Sequence, residues 1–377
     1  MRQSDDQGCD DPGSDGRGSD DPTGARIRAY GTVAPALALL SDRQLAERIH
    51  AAGGTAGETV GRTVGEAAPA GVGGRVGALE IDGIRVFVKR VPLTDLELEA
   101  GHARSTANLF DLPGFYQYGI GSAGFGAWRE LAAHALTTHW VLDRSHENFP
   151  LMYHWRVLPD TPPAGFMDLF GGIDGAVAHW DGHPAVRRRL EALAGASHSL
   201  VLFLEHLPHT LADWLHQHPD RTGAPQEWAS RELDRSTRFM EEHGFLHFDA
   251  HFGNVLTDGR LIALADFGLA LSTRFDLSPA ERRFHADHRG YDRHYAPTHL
   301  LKHHLLDRYR GDTERTDFLR HWRDGHRPTT VPGPAATLLD RHAPTALALD
   351  AFHHRLLHES KLTPYPQAEL EHAATRA

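Results

Sequence analysis

Apolar and polar positions alternate most clearly around residue 80 of the chain. Two runs with β-like character, 79–81 and 84–88, flank the dipeptide Asp82-Gly83. An Asp-Gly pair between apolar runs is typical of a β-hairpin closed by a two-residue type I′ turn. We therefore expect an antiparallel pair of strands in which Val76 lies opposite Lys89.

Longer patterns predict strands mainly in the first half of the chain and helices in the second. Ser41 and Gln44 form a capping-box pattern, which predicts that a helix begins there. The first half also predicts a helix at 127–142, an apolar run at 151–158, a basic helix around 187–193 and a buried strand at 199–204. The helices predicted for the second half are 210–217, 226–243, 296–310, 313–323 and 347–358. This order favours two lobes with a cleft between them as the default place for a site.

Composition narrows the class of protein. The chain has 377 residues, of which 24% are charged and 40% hydrophobic. No apolar stretch approaches the ~18 residues of a transmembrane helix, and the Asp/Gly/Ser-rich beginning does not resemble a secretory signal. Cys9 is the single cysteine, which excludes an internal disulfide and a cysteine-based zinc site. We expect a cytoplasmic protein without a membrane partner.

Charge bears on the partners of the protein. The formal net charge of −11 argues against a nucleic-acid partner, because phosphates would be repelled. Residues 1–25 hold seven aspartates and two arginines among Gly, Ser and Pro. Such a segment cannot bury enough apolar surface to order itself. We expect a disordered acidic tail over 1–25.

A glycine-rich stretch precedes the predicted hairpin. Nine glycines lie between Gly53 and Gly77, and the expected register brings Gly71, Gly73 and Gly74 close to Lys89. Glycines let backbone N–H groups approach phosphate oxygens, and a lysine supplies charge. The stretch therefore suits a phosphate-binding loop; the alternatives are a linker and a solvated strand lysine.

The segment 244–268 contains the densest set of polar side chains. A second Asp-Gly pair, Asp258-Gly259, predicts another two-residue hairpin, in which Asp266 would face His251. That geometry gathers Asp249, Asn254 and Asp266 at one strand end. Two carboxylates and an amide oxygen suit Mg²⁺, and one carboxylate would remain to accept or orient a hydroxyl proton.

These residues also carry a family resemblance. His247-x-Asp249-x-x-x-x-Asn254, followed by Asp266-Phe267-Gly268, resembles the catalytic and metal-binding loops of the protein-kinase-like superfamily. The strand that ends in Lys89 resembles the phosphate-anchoring strand of that superfamily. The order of these motifs is kept over roughly residues 57–270.

The resemblance implies an α+β, bilobal protein-kinase-like fold. A small β-rich N-terminal lobe with insertions, 26–205, would follow the tail and bind the nucleotide. Residues 206–377 would form the larger, mostly helical catalytic lobe. Insertions relative to the family would lie at about 92–125 and 160–197.

The resemblance also implies ATP and Mg²⁺ as cofactors and a role for each motif residue. Asp249 would be the catalytic base, Lys89 would contact the α- and β-phosphates, and Asn254 and Asp266 would hold Mg²⁺. Glu205 and Leu207 would belong to the hinge that binds adenine through its backbone, and Gly71, Gly73 and Gly74 would cover the phosphates. The carboxylate partner of Lys89 would be Glu130, with Glu97 and Glu99 as alternatives.

Departures from the family pattern leave the acceptor open. The glycine loop is one residue off the usual spacing. His251 stands where protein kinases have lysine, and histidine there is similar to aminoglycoside and choline kinases. Residues 266–270, Asp-Phe-Gly-Leu-Ala, instead look like a Ser/Thr protein kinase, although no Ala-Pro-Glu follows. We expect phosphoryl transfer from ATP to a Ser/Thr hydroxyl of a protein or peptide. The alternatives are a small-molecule phosphotransferase and a pseudokinase that acts as a binding scaffold.

Overall fold

A computed structural model describes residues 21–53, 75–162, 165, 167–219 and 222–375. The chain is α+β, with antiparallel sheets and more helix than strand. The helices are α1 (Pro22–Leu39), α2 (Asp42–Gly53), α3 (Asp95–Leu98), α4 (Ala127–Leu142), α5 (Ile173–His179), α6 (Pro184–Ala194), α7 (Leu211–Gln217), α8 (Ala224–Glu242), α9 (Pro279–Asp287), α10 (Tyr291–His299), α11 (Arg315–Arg323), α12 (Gly333–His358) and α13 (Gln367–Thr375). A π-helical turn, Leu300–Leu305, follows α10. Within the described ranges, no helix is long and apolar enough to cross a bilayer.

Among the described residues the strands form three small sheets. Their bounds are β1 (Arg75–Ile81), β2 (Ile84–Leu93), β3 (Met152–Pro159), β4 (His198–Glu205), β5 (His209–Thr210), β6 (Phe245–Leu246), β7 (Val255–Thr257), β8 (Ile262–Leu264) and β9 (Leu271–Ser272). The largest sheet has the order β1-β2-β4-β3, and the others are β5-β7-β8 and β6-β9.

The first hairpin confirms its predicted register. Val76 pairs with Lys89 across β1 and β2. Asp82 and Gly83 both have positive φ, 49° and 77°, which is the conformation a type I′ turn requires. This register fixes Lys89 in the middle of the sheet, where it also pairs with Leu202 of β4.

Helix α4 packs on the four-stranded sheet and has the predicted bounds. Its apolar face includes Trp128 and Leu131, which join a buried cluster with Leu200 and Leu202 of β4. The capping box at Ser41 is confirmed as well, because the Gln44 side chain accepts the Ser41 N–H at 2.9 Å. Packing of α4 on the sheet turns Glu130, in its first turn, towards β2.

The expected disordered tail is wrong at its C-terminal end. Residues 22–25 begin helix α1, which Asp21 caps by accepting the Gly24 N–H at 2.9 Å. Pro22 at the first helical position suits this start, because its missing N–H would have no partner there. Residues 1–20 lie outside the described residues, and so do Gly71, Gly73 and Gly74.

The second Asp-Gly turn also differs from its prediction. Strands β7 and β8 pair Thr257 with Ile262, so the loop has four residues rather than two. Asp258 explains the longer loop, because its carboxylate accepts the N–H groups of Arg260 and Leu261, both at 2.8 Å. The register is therefore displaced by two residues, which keeps the same side chains on each face.

Two predicted helices have different bounds in the structure. The helix expected at 296–310 is interrupted, since α10 ends at His299 and a π-helical turn follows. The helix expected at 347–358 begins instead at Gly333 and continues through Pro344.

The two expected insertions pack against each other. Trp180, fully buried, lies against Tyr116 with ring centroids 4.7 Å apart, at the centre of an apolar cluster that spans both insertions. Residues 114–124, here named the covering segment, run from this cluster onto the loop that carries Asp249.

Candidate active site

Lys89 lies between two carboxylates. Its Nζ is 2.7 Å from Glu130 Oε1 and 2.7 Å from Asp266 Oδ1. Burial alone would lower the pKa of Lys89, but the two carboxylates outweigh burial and raise it. Lys89 therefore carries a fixed positive charge within β2.

The contact with Lys89 affects the pKa values of Glu130 and Asp266 differently. Burial raises the pKa of Glu130, and Lys89 opposes that only in part. At Asp266 burial also acts to raise the pKa, but the attraction and hydrogen bond of Lys89 prevail and lower it to about 2. Asp266 is consequently ionised at neutral pH, and 43% of its side chain is exposed.

The other candidate partners of Lys89 have different contacts. Glu97 pairs with Arg189 at 2.8 Å and accepts the Ala127 N–H at 2.7 Å, so it holds the start of α4. Glu99 is mostly exposed, near His102. Of the three glutamates, Glu130 is the one whose carboxylate contacts Lys89.

Asp249 and Asn254 lie on one loop and are joined by hydrogen bonds. Asn254 Nδ2 donates to the backbone oxygen and to Oδ2 of Asp249, both at 3.0 Å. With the donor end so engaged, the amide oxygen of Asn254 is left to accept or to ligate. The pKa of Asp249 is raised well above its usual value, first by burial and then by the nearby charge of Asp266.

Asn254 and Asp266 come close because of the chain path between them. The Ala265 N–H donates to the Asn254 carbonyl at 2.8 Å, which holds the two ends of the β7–β8 hairpin together. One amide oxygen and one ionised carboxylate are a donor set that Mg²⁺ accepts when phosphates and water complete its shell. No group of three or more His, Cys, Asp or Glu side chains suited to a metal occurs in the described part of the chain. The residues fit Mg²⁺ held jointly with phosphates, not a metal held by protein alone.

Two residues of this region have strained backbone conformations. Phe248 has φ 64° and Asp266 has φ 61°, in the left-handed region that costs a residue with a side chain about 1 kcal/mol or more. Asp292 of α10 stabilises the first of them, since it accepts the N–H groups of His247 at 2.7 Å and Phe248 at 3.0 Å. Strain of this kind persists where the surrounding structure imposes it, and it is concentrated at functional sites.

His247 links the Asp249 loop to the segment that carries Asp266. Its Nε2–H donates to the Ala265 carbonyl at 2.9 Å, and its Nδ1 accepts the Asp249 N–H at 3.3 Å. Burial lowers the pKa of His247 to about 4, so the ring is neutral and keeps one donor and one acceptor. His247 is a positioning residue for both aspartates.

The two residues of the expected hinge, Glu205 and Leu207, differ in their hydrogen bonds. The Glu205 carboxylate accepts from Arg26 of α1 at 2.8 and 2.7 Å, and the Glu205 N–H donates to the Leu151 carbonyl at 2.7 Å. The backbone of Leu207 has no hydrogen-bond partner among the described residues. Leu207 therefore keeps its backbone groups available, while Arg26 holds the Glu205 carboxylate in place.

Three residues of the site carry no signal in the sequence that marks them. Asp292 and Arg26 act through contacts with residues far along the chain, and no local pattern marks either one. Gly119, in the covering segment, has its Cα against the Asp249 carboxylate. A glycine could be recognised there only after its neighbour was known.

Comparison with known proteins provides no assignment for this chain. No protein-family model matches it, and no curated protein sequence matches it. The chemistry of the site is therefore inferred from its own geometry.

Proposed function

We propose that this protein is an ATP- and Mg²⁺-dependent phosphotransferase with a bilobal protein-kinase-like arrangement. The observation that carries the proposal is the position of Lys89 between Glu130 and Asp266, with the hydrogen-bonded pair Asp249 and Asn254 beside it. One fixed cation, one ionised carboxylate with 43% of its side chain exposed and one half-buried carboxylate are groups that suit phosphoryl transfer.

Each side chain has a defined task in this reaction. Lys89 neutralises nucleotide phosphate charge, and Glu130 holds the ammonium in place. Asp266 and Asn254 would hold Mg²⁺, which would supply charge neutralisation for the phosphates when bound. Asp249 orients the acceptor hydroxyl and receives its proton while the acceptor oxygen bonds to the γ-phosphorus. The bond from that phosphorus to the β–γ bridging oxygen breaks, and ADP leaves. Catalysis on this scheme is mainly positioning and charge stabilisation.

Two acceptor classes accompany the proposal. The sequence 266–270 supports a Ser/Thr side chain of a protein or peptide. The contact between the covering segment and Asp249 supports a small hydroxyl compound, and this second candidate is developed below.

The test compares nucleotide binding with phosphoryl transfer. Wild-type protein, Asp249→Asn and an exposed control, Asp312→Asn, receive γ-labelled ATP, Mg²⁺ and an extract of the source cells. We expect wild type and the control to transfer label, and Asp249→Asn to bind ATP with similar affinity but to transfer at least about 100-fold less.

The outcome also separates an enzyme from a scaffold. Tight ATP binding with equal label transfer by wild type and Asp249→Asn would contradict the assigned role of Asp249. ATP binding without transfer would favour the pseudokinase alternative, and the absence of both would contradict the proposal as a whole.

A further inference from the structure

The covering segment touches the carboxylate that the proposed reaction uses as its base. A Cβ added at Gly119 would overlap Asp249 Oδ1 and lie 3.1 Å from Asp249 Cγ. Gly119 does not have a positive φ, so its backbone conformation is open to any residue. Glycine is therefore needed at this position because a side chain would clash with Asp249, and not because of the backbone conformation.

The two oxygens of Asp249 have different surroundings. Oδ2 accepts from Asn254 Nδ2 at 3.0 Å and lies 3.8 Å from His251 Nε2. Oδ1 is the oxygen that faces Gly119. Oδ1 is thus the oxygen that Asn254 does not engage, and an acceptor hydroxyl that donates to Oδ1 passes the Gly119 backbone.

The covering segment is anchored as part of the core. Tyr116 and Tyr118 are 0% and 2% exposed, and Tyr118 Oη lies 2.6 Å from His288 Nε2. The amide of Gln117, also buried, donates to the Leu269 carbonyl. Moving these residues away would expose two aromatic rings and break buried hydrogen bonds, so the segment is not built as a lid.

Further along, the segment also lies close to the residues after Asp266. A Cβ at Gly124 would come within 2.5 Å of the Gly268 carbonyl oxygen. The chain thus passes from Asp249 to Gly268 along one side of the site. In that space an extended polypeptide would have to continue on both sides of its own hydroxyl, at about 3.3 Å per residue.

We propose that the covering segment is a fixed wall of the acceptor site, and that Gly119 is the specificity-determining position that leaves room for a slender hydroxyl. The acceptor is accordingly a small hydroxyl compound and not an extended Ser/Thr peptide. This inference rests on the proposed function and specifies its substrate class. The hydroxyl oxygen bonds to the γ-phosphorus, its proton passes to Asp249 Oδ1, and ADP is the leaving group.

Gly119→Ala tests the wall, because its added methyl group would overlap Asp249 Oδ1, the oxygen beside which the acceptor hydroxyl is proposed to bind, and would displace that carboxylate. Gly101→Ala is the matched control, since it lies in the same insertion with nothing within 4 Å of its added Cβ. The extract of the source cells is divided by ultrafiltration into small molecules and macromolecules, and each fraction is offered with γ-labelled ATP and Mg²⁺.

We expect label in the small-molecule fraction with wild type and with Gly101→Ala. Gly119→Ala should transfer about 100-fold less, with an unchanged Kd for ATP. Label that enters proteins, or transfer by Gly119→Ala at the wild-type rate, would overturn the inference and leave the proposed function standing. Failure of wild type to bind ATP and to label either fraction would overturn the proposed function together with it. If Gly119→Ala does not fold, the wild-type protein alone still tests the inference, because the label enters either the small-molecule fraction or the protein fraction.

Discussion

Mild acid is expected to destabilise the folded protein, because several histidines are buried in a neutral state. Five of them are at most 4% exposed: His134, His146, His247, His288 and His294. Burial is the main cause that lowers their pKa, to about 3 for His134 and to about 4 for each of the other four. In the unfolded chain the same side chains titrate near pH 6.5.

The sign and size of the effect follow from proton linkage. Below about pH 6.5 the unfolded chain takes up protons that the folded chain refuses, so the free energy of unfolding falls as the pH falls. Each such histidine contributes about 1.4 kcal/mol per pH unit, so five of them remove about 7 kcal/mol at about pH 5.5. A domain typically has about 5–15 kcal/mol of stability in total. Asp292, whose pKa burial raises to about 6, takes up a proton in the folded chain and offsets about 1 kcal/mol of this loss at about pH 5.5. The paired carboxylate of Asp266, whose pKa is about 2, adds its own loss only at much lower pH.

Urea unfolding followed by tryptophan fluorescence, at a series of pH values between about 7.5 and 5.5, measures this loss. His134→Gln should reduce the pH dependence by about one histidine equivalent. His139→Gln, on the same helix but with its side chain 69% exposed, is the matched control and should leave the dependence unchanged. An unfolding free energy that stays level across this pH range would refute the reasoning.

Three further predictions concern single contacts. Lys89→Met should abolish tight ATP binding and also lower the unfolding free energy by about 3 kcal/mol, since Glu130 then stays buried without its cation; calorimetry and urea unfolding measure the two effects. Adding Glu130→Gln to it should restore stability but not ATP binding, and recovery of binding would contradict the phosphate-anchoring role. Asp292→Ala should lower kcat much more than it raises KM, because it frees two N–H groups of the Asp249 loop, and a change confined to KM would argue against a positioning role. Arg26→Ala, which releases the Glu205 carboxylate, should weaken ATP binding by about 10-fold with an unchanged KM for the acceptor, whereas intact ATP affinity would separate α1 from the nucleotide site.

Elements with strong local signals were predictable from the sequence. The Asp82-Gly83 hairpin and the helix 127–142 depend on turn chemistry and periodicity within a few residues. The hairpin has the predicted register, although its strands extend beyond 79–81 and 84–88, and the helix has the predicted bounds. The Asp258-Gly259 pair shows the limit of such signals. The same dipeptide closes a four-residue loop there, because the Asp258 side chain accepts two N–H groups of the turn.

The start signals of two helices differ from their predictions. The last long helix was predicted only over 347–358, yet α12 begins at Gly333 and continues through Pro344, where packing of α12 against α10 and α11 outweighs the lost hydrogen bond. Helix α9 was not predicted, although Ser278, Pro279 and Glu281 carry a legible start signal. Both capping-box hydrogen bonds are present in the structure.

In the candidate site, too, residues that are close in sequence were predictable, and pairs that depend on long-range packing were not. Asp249, Asn254 and Asp266 lie within one short segment, so hairpin geometry alone could bring them together. Choosing Glu130 over Glu97 requires packing information, since Glu97 is engaged by Arg189, 92 residues further along the chain. Burial and long-range contacts, rather than spacing in the sequence, determine which glutamate pairs with Lys89.

The central claim is that Asp249 serves a phosphoryl transfer supported by Lys89 and Asp266. A single-turnover measurement, with enzyme in excess over γ-labelled ATP and with Mg²⁺ and the cell extract as the source of acceptor, tests it most directly. The account predicts that wild type converts bound ATP to ADP and a labelled acceptor, while Asp249→Asn retains the bound ATP unchanged. Equal rates of ADP formation in the two proteins, or no ATP bound by wild type, would contradict it.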